Sequence, residues 1–157
     1  MRILILLAAL ILGGAAGAAE LQAGLLPSFI FRDGAVGLLR ADVTLLFGGD
    51  MLSVGPYAMY EGISPQVTDS ALGAALRIGH DTYFEARAGQ FQRVFSQPGT
   101  GTLNGRGFVG NLVFGMHLSP HFGVDAVLSG KRIQSGSLDK RWIIDLLPLL
   151  TLRADLW

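Results

Sequence analysis

Residues 82–94 read TYFEARAGQFQRV. Phe84, Ala86 and Ala88 fall on one side of this run, and Glu85 and Arg87 on the other, because successive side chains of a strand point to opposite faces. A helix of period 3.6 would mix the two sets on one surface. The same alternation recurs along the chain and predicts eight strands, at about 21–32, 36–47, 51–61, 70–79, 82–94, 106–118, 121–133 and 141–156. Each is roughly ten residues, the length a tilted strand needs to cross a bilayer. Clusters of Gly, Asp, Asn, Ser and Pro separate them.

One face of each strand is apolar through its centre, as in Leu39, Ala41, Val43, Leu45 and Phe47, or Phe108, Leu112, Phe114 and Met116. The other face collects the charges. Its bases are Arg40, Arg77, Arg87, Lys131 and Arg153, and its acids are Asp42, Glu85, Asp125, Asp145 and Asp155. A barrel with its apolar face inside, around a ligand, would show the same alternation. Three features favour the opposite arrangement. The basic residues are ten Arg and two Lys, and enclosed ion pairs favour the planar guanidinium. Aromatics of the apolar face sit at strand ends, with Phe29, Phe31, Tyr60, Phe108 and Trp142 at one rim and Phe47, Phe84 and Phe122 at the other, as in the two girdles of a membrane barrel. Connections alternate in length: 48–50, 79–81 and 119–120 are tight, while 62–69, 95–105 and 134–140 are longer. The connection Asp33-Gly34-Ala35 is short and departs from that rule. The expected fold is all-β, a closed eight-stranded antiparallel up-and-down transmembrane barrel.

Composition agrees. Half of the 157 residues are apolar and only 15% are charged, against about a quarter in ordinary soluble domains. Beyond the N-terminus no run approaches the roughly 18 apolar residues of a spanning helix. Twelve basic residues balance twelve acidic ones, which gives no net field for nucleic acid. There is no cysteine, so neither disulfides nor a lipidated thiol enter. Residues 1–19 carry Arg2, an apolar run Ile3 to Leu12 and small residues Gly13 to Ala19, the layout of a secretory signal peptide. Cleavage after Ala18 or after Ala19 fits equally, an uncleaved anchor is the alternative, and 20–157 is the barrel domain.

In strand number, turn pattern and alternation the chain resembles the small eight-stranded bacterial outer-membrane barrels. The resemblance covers all of 20–157 as a pattern, with no subfamily motif. Members commonly end in an aromatic residue read by the barrel-assembly machinery, and this chain ends in Trp157. The family places that aromatic in register with apolar positions upstream, whereas here Leu152, Ala154 and Leu156 are apolar and Arg153 and Asp155 are not. Either a bulge near Pro148 or a frayed end would account for it. The resemblance implies a Gram-negative outer-membrane location, lipid and the assembly machinery as partners, and a monomer.

His117-Leu118-Ser119 resembles the motif of outer-membrane lipid A deacylases, in which a His takes the Ser proton. Pro120 stands where that family has Asn, and no Glu follows Glu85, which leaves Asp125 as the nearby carboxylate. His80, His117 and His121 form no metal-ligand spacing, and the Gly-rich run 98–105 lacks a phosphate-loop spacing. No catalytic residue, metal or cofactor is therefore expected. The charged face Arg40, Asp42, Arg77, Glu85, Arg87, Asp125, Lys131, Asp145 and Arg153 is expected to be a structural lumen network, with Glu85–Arg87, Arg40–Asp42 and Arg153–Asp155 as same-face neighbours. The expected function is a non-enzymatic envelope barrel with a structural or interaction role. A narrow porin-like channel and a deacylase-like enzyme are the alternatives.

Overall fold

In the computed structural model, residues 18–30, 36–49, 51–64, 66–97, 99 and 101–155 are described. Eight strands run in chain order: β1 Ala18–Ile30, β2 Val36–Gly48, β3 Leu52–Ser64, β4 Val67–Ile78, β5 Thr82–Gln97, β6 Gly101–His117, β7 Phe122–Gly136 and β8 Trp142–Asp155. Each pairs antiparallel with its neighbours, and β1 pairs with β8 to close the barrel. The start of β1 and the end of β8 share one end of the barrel. The opposite end, which carries the 65–66, 98–100 and 137–141 connections, is called the outer end below.

The alternation read from the sequence is the alternation of exposure. Leu72, Leu112, Ile144 and Leu146 lie on the outer wall, 62–72% exposed, while Arg40, Asp42, Glu85 and Lys131 are buried inside. The lumen also holds two apolar layers between its charges. One includes Leu46, Met59, Phe91 and Ile133, and the other joins Tyr83, Val113, Val127 and Leu149. Strand centres crowd side chains inward, so the bore is filled, as expected at eight strands.

The strands are longer than expected. They run 12 to 17 residues, roughly 40–55 Å at about 3.3 Å per residue, so the hairpins project past an apolar band of about 25 Å. The long outer connections shrink accordingly. Residues 101–105, expected in a Gly-rich loop, are the start of β6 and pair with Gln97 to Arg93 of β5. Asp69 likewise belongs to β4, opposite Glu61 and Arg93. Gly and polar residues read as loop because their side chains lack a core, yet the backbone ladder continues through them. The connections at the other end stay short, at 49–51, 79–81 and 118–121, so the expected contrast in length between the two ends largely disappears; Gly79 takes a positive φ of 93° there, which favours glycine.

No bulge occurs near Pro148. The β7–β8 register runs unbroken from Phe122↔Leu152 to Arg132↔Trp142. Register steps fall instead between Gly62 and Ser64 and between Arg106 and Gly107. The seam between β1 and β8 extends from Glu20↔Asp155 to Leu25↔Leu150. Two residues further, the same register would set Pro27 against Pro148, and neither proline has an N–H to donate. The proposed signal segment, apart from Ala18 and Ala19 in β1, lies outside the described residues, as do Asp33-Gly34-Ala35, Leu156 and Trp157.

Gly115 faces the lumen where the Tyr83 ring passes, and a Cβ there would overlap that ring and the Asp125 carboxylate. Gly115→Leu should lower stability by about 1–3 kcal/mol, the usual cost of overpacking, measured as the urea midpoint in micelles. Gly110→Ala adds a methyl that meets nothing closer than the Arg87 carbonyl oxygen at 4.0 Å, and should leave the midpoint unchanged or slightly raised.

Candidate functional site: the charged lumen

Closure of the sheet places charges from all around the barrel in one continuous chain of alternating sign. At the outer end Arg93 donates to both oxygens of Asp69 at 2.7 Å. Lys131 then bridges Asp69 at 2.9 Å and Glu61 at 2.8 Å, with Asp145 at 3.6 Å. Glu61 meets Arg40 at 3.4 Å, and Arg40 forks onto Asp42 at 2.9 and 3.0 Å. Asp42 accepts from Arg87 at 2.7 Å, and Arg87 also donates to Glu85. Glu85 accepts from Arg77 at 2.6 Å, Arg77 reaches Glu20 at 2.7 Å, and Glu20 meets Arg153 at 3.3 Å.

Two tyrosines and two amides fill the gaps. Tyr83 donates to Asp125 at 2.5 Å while accepting from Gln22 at 2.5 Å, and the Arg77 guanidinium lies 3.9 Å above its ring. Gln22 also accepts from Arg77. Tyr57 accepts from Asn111 at 2.8 Å and sits under Arg87. A buried ion costs several kcal/mol unless it is paired and hydrogen-bonded. Alternation of sign satisfies that condition along the whole bore, because nearly every charge has two opposite neighbours. Bidentate Arg forks supply geometry as well as energy.

All nine lumen residues named from the sequence face this interior, and Arg40–Asp42 and Glu85–Arg87 touch. Arg153 pairs with Glu20; the Asp155 side chain lies outside the described ones. Glu20, Glu61, Asp69 and Arg93 were not named, although they hold both ends of the chain together. Glu61 and Arg93 fall inside the expected strands 51–61 and 82–94, whereas Asp69 falls in the expected connection 62–69 and Glu20 at the boundary of the signal segment. Arg93 shares the parity of Arg87 and Glu61 that of the lumen face of its strand, and a one-residue extension of the expected strands reaches Glu20 and Asp69.

At the end opposite the outer loops, His80, Asp81 and His117 converge, with possible donor atoms within 4.8 Å of one another. No metal spacing was visible because the residues come from two different turns. Asp81 holds His80 Nδ1 at 2.9 Å, and Arg153 donates to His80 Nε2 at 2.8 Å and His117 Nδ1 at 3.0 Å. Both imidazole lone pairs are thus engaged by a guanidinium. Ser119 Oγ accepts from the backbone N–H of Phe122 at 3.1 Å and of His121 at 3.4 Å, the geometry of a turn cap. The hydroxyl is turned to its own backbone, and His117 to Arg153.

Removing one ion from the middle of the chain leaves each of its two partners with a single counter-charge. Arg87→Leu leaves Asp42 and Glu85 each short of a counter-charge and should cost about 3–5 kcal/mol, read as a lowered urea midpoint in micelles; an unchanged midpoint would show the network to be energetically idle.

No known protein family and no curated protein matches the sequence. Among solved structures, the chain is similar to Neisserial surface protein A (NspA), with a TM-score of 0.54 and 13% identity over 87% of this chain and 93% of that one. It is also similar to the N-terminal β-barrel domain of Pseudomonas aeruginosa OprF, with a TM-score of 0.52 and 14% identity over 88% of this chain and 99% of that one. At such identities the likeness concerns the course of the backbone, and that course is traced over nearly the whole of both neighbours. The chain has the fold of the small eight-stranded outer-membrane β-barrels.

Proposed function

We propose that the chain is a non-enzymatic β-barrel of the bacterial outer membrane, with a structural or interaction role in the envelope. The observation that carries this reading is the filled lumen: an unbroken file of ion pairs runs from Arg93 to Arg153, with Arg40 and Lys131 fully buried. A bore filled by paired side chains tells against the narrow-channel alternative. The outer wall offers lipid an apolar belt, with Phe84, Phe114 and Phe122 towards one rim and Tyr60, Phe108 and Trp142 towards the other. Residues 1–19 would direct export, and the assembly machinery would insert the barrel as a monomer. The turn-cap geometry of Ser119 speaks against the deacylase alternative.

Planar-bilayer recording on refolded protein tests the reading. The expected result is no steady conductance, and stable single-channel steps would favour the channel. The lipid-facing belt makes a second prediction. Leu112 lies between Phe108 and Met116 on the apolar face of β6 and is 62% exposed, so Leu112→Arg should cost about 2–4 kcal/mol of stability in vesicles, as for an arginine at the bilayer midplane. Leu112→Val should cost less than about 1.5 kcal/mol.

A further inference from the structure

The outer wall breaks its own rule at one place. Among the described strand side chains, the charged ones turn inward except Arg106 and Arg132, both exposed on the wall near the outer end. They stand on neighbouring strands, Arg132 opposite Phe108 and Arg106 opposite Ser135. Arg132 is laid against the Trp142 ring at 5.4 Å. Arg106 makes no ion pair among the described residues. Among the described strand side chains, no carboxylate shares that wall with either of them.

Arg106 heads a groove of about 770 Å³ in the wall. Ala58, Ser70 and Leu72 form its floor, and Tyr60 and Phe108 flank it. The head end is built by a bulge. The register steps between Arg106 and Gly107, leaving Gln134 as the extra residue of β7. A bulge turns consecutive residues to one side, and Gln134 and Ser135 are both exposed and both line the groove. Only glycine fits at 107, since a Cβ there would overlap the Arg132 carbonyl oxygen. Gln92, opposite Arg106 on β5, lines the same groove.

We propose that this groove binds one anionic membrane lipid, with its phosphate at Arg106 and its hydrocarbon over Ala58 and Leu72. Charge and shape both select that occupant. A guanidinium with no acid beside it pairs in a fork with phosphate oxygens, and the groove's lining includes the apolar Ala58 and Leu72 of β3 and β4, away from Arg106 on β6. A free anion would leave that floor uncovered. The inference rests on the wall facing lipid, as the proposed function requires.

The test is native mass spectrometry of the whole chain refolded in detergent. It is titrated with dioleoyl phosphatidic acid, dioleoyl phosphatidylcholine or inorganic phosphate. One phosphatidic acid should be held at least tenfold more tightly than phosphatidylcholine, and millimolar inorganic phosphate should not displace it. Arg106→Gln should cut that preference to less than threefold, while Arg141→Gln, in the exposed turn before β8, should leave it intact. Ala58→Phe, which fills the floor, should weaken both lipids together at least fivefold. Equal affinity for the two lipids, a preference untouched by Arg106→Gln, or displacement by inorganic phosphate would overturn the proposal. Gel mobility unchanged by heating, with no lipid of either kind retained, would sink the membrane reading itself and take this inference with it.

Discussion

Closure of the sheet rests on the short ladder between β1 and β8, from Glu20↔Asp155 to Leu25↔Leu150. In lipid there is no water to satisfy a free strand edge, so a spanning sheet must pair with itself. The seam spans six residue pairs, while β5 and β6 share a ladder from Thr82↔Met116 to Gln97↔Gly101. It lies next to Glu20, which meets Arg77 of β4 and Arg153 of β8. The backbone closure and the last link of the lumen network are therefore made by the same stretch of chain.

The lumen follows from that closure. On an open sheet, Asp42 of β2 and Arg87 of β5 would stand three strands apart; curvature brings them to 2.7 Å. Lys131 of β7 reaches Glu61 of β3 and Asp69 of β4 in the same way. Each ion is tolerable inside only because its neighbours on distant strands carry the opposite sign. The network thus specifies one closed arrangement, since a register slip of one residue would send every charge to the lipid side. The apolar layers around Phe91 and around Val113 fill what the ions leave.

Much of this was legible in the sequence because a period of two needs no knowledge of tertiary contacts. Eight strands and the division of their side chains into two faces follow from parity, while the inward place of Arg40, Glu85 and Lys131 rested on the excess of Arg over Lys, the aromatic rims and the connection lengths. The strand ends did not follow. At Asp69 and the run 101–105, hydrophobicity fades while hydrogen bonding continues, so a reading based on apolar alternation stops too early. The pairing of distant charges was also hidden, because it depends on the register of seven hairpin ladders and a seam. The cluster of His80, Asp81 and His117 with Arg153 was hidden for the same reason, and so was the bulge at Gly107, which shifts register without altering composition.

The central claim is that one side of each strand touches lipid while the other is enclosed. The chain contains no cysteine, so single cysteines can be placed one at a time along 108–116 of β6 and spin-labelled in the reconstituted barrel. Collision with oxygen, which concentrates in the bilayer, should be high at 108, 110, 112, 114 and 116 and low at 109, 111 and 113, with a water-soluble nickel chelate reaching neither set at the belt centre. A flat profile, or nickel access rising at the even positions, would contradict the account.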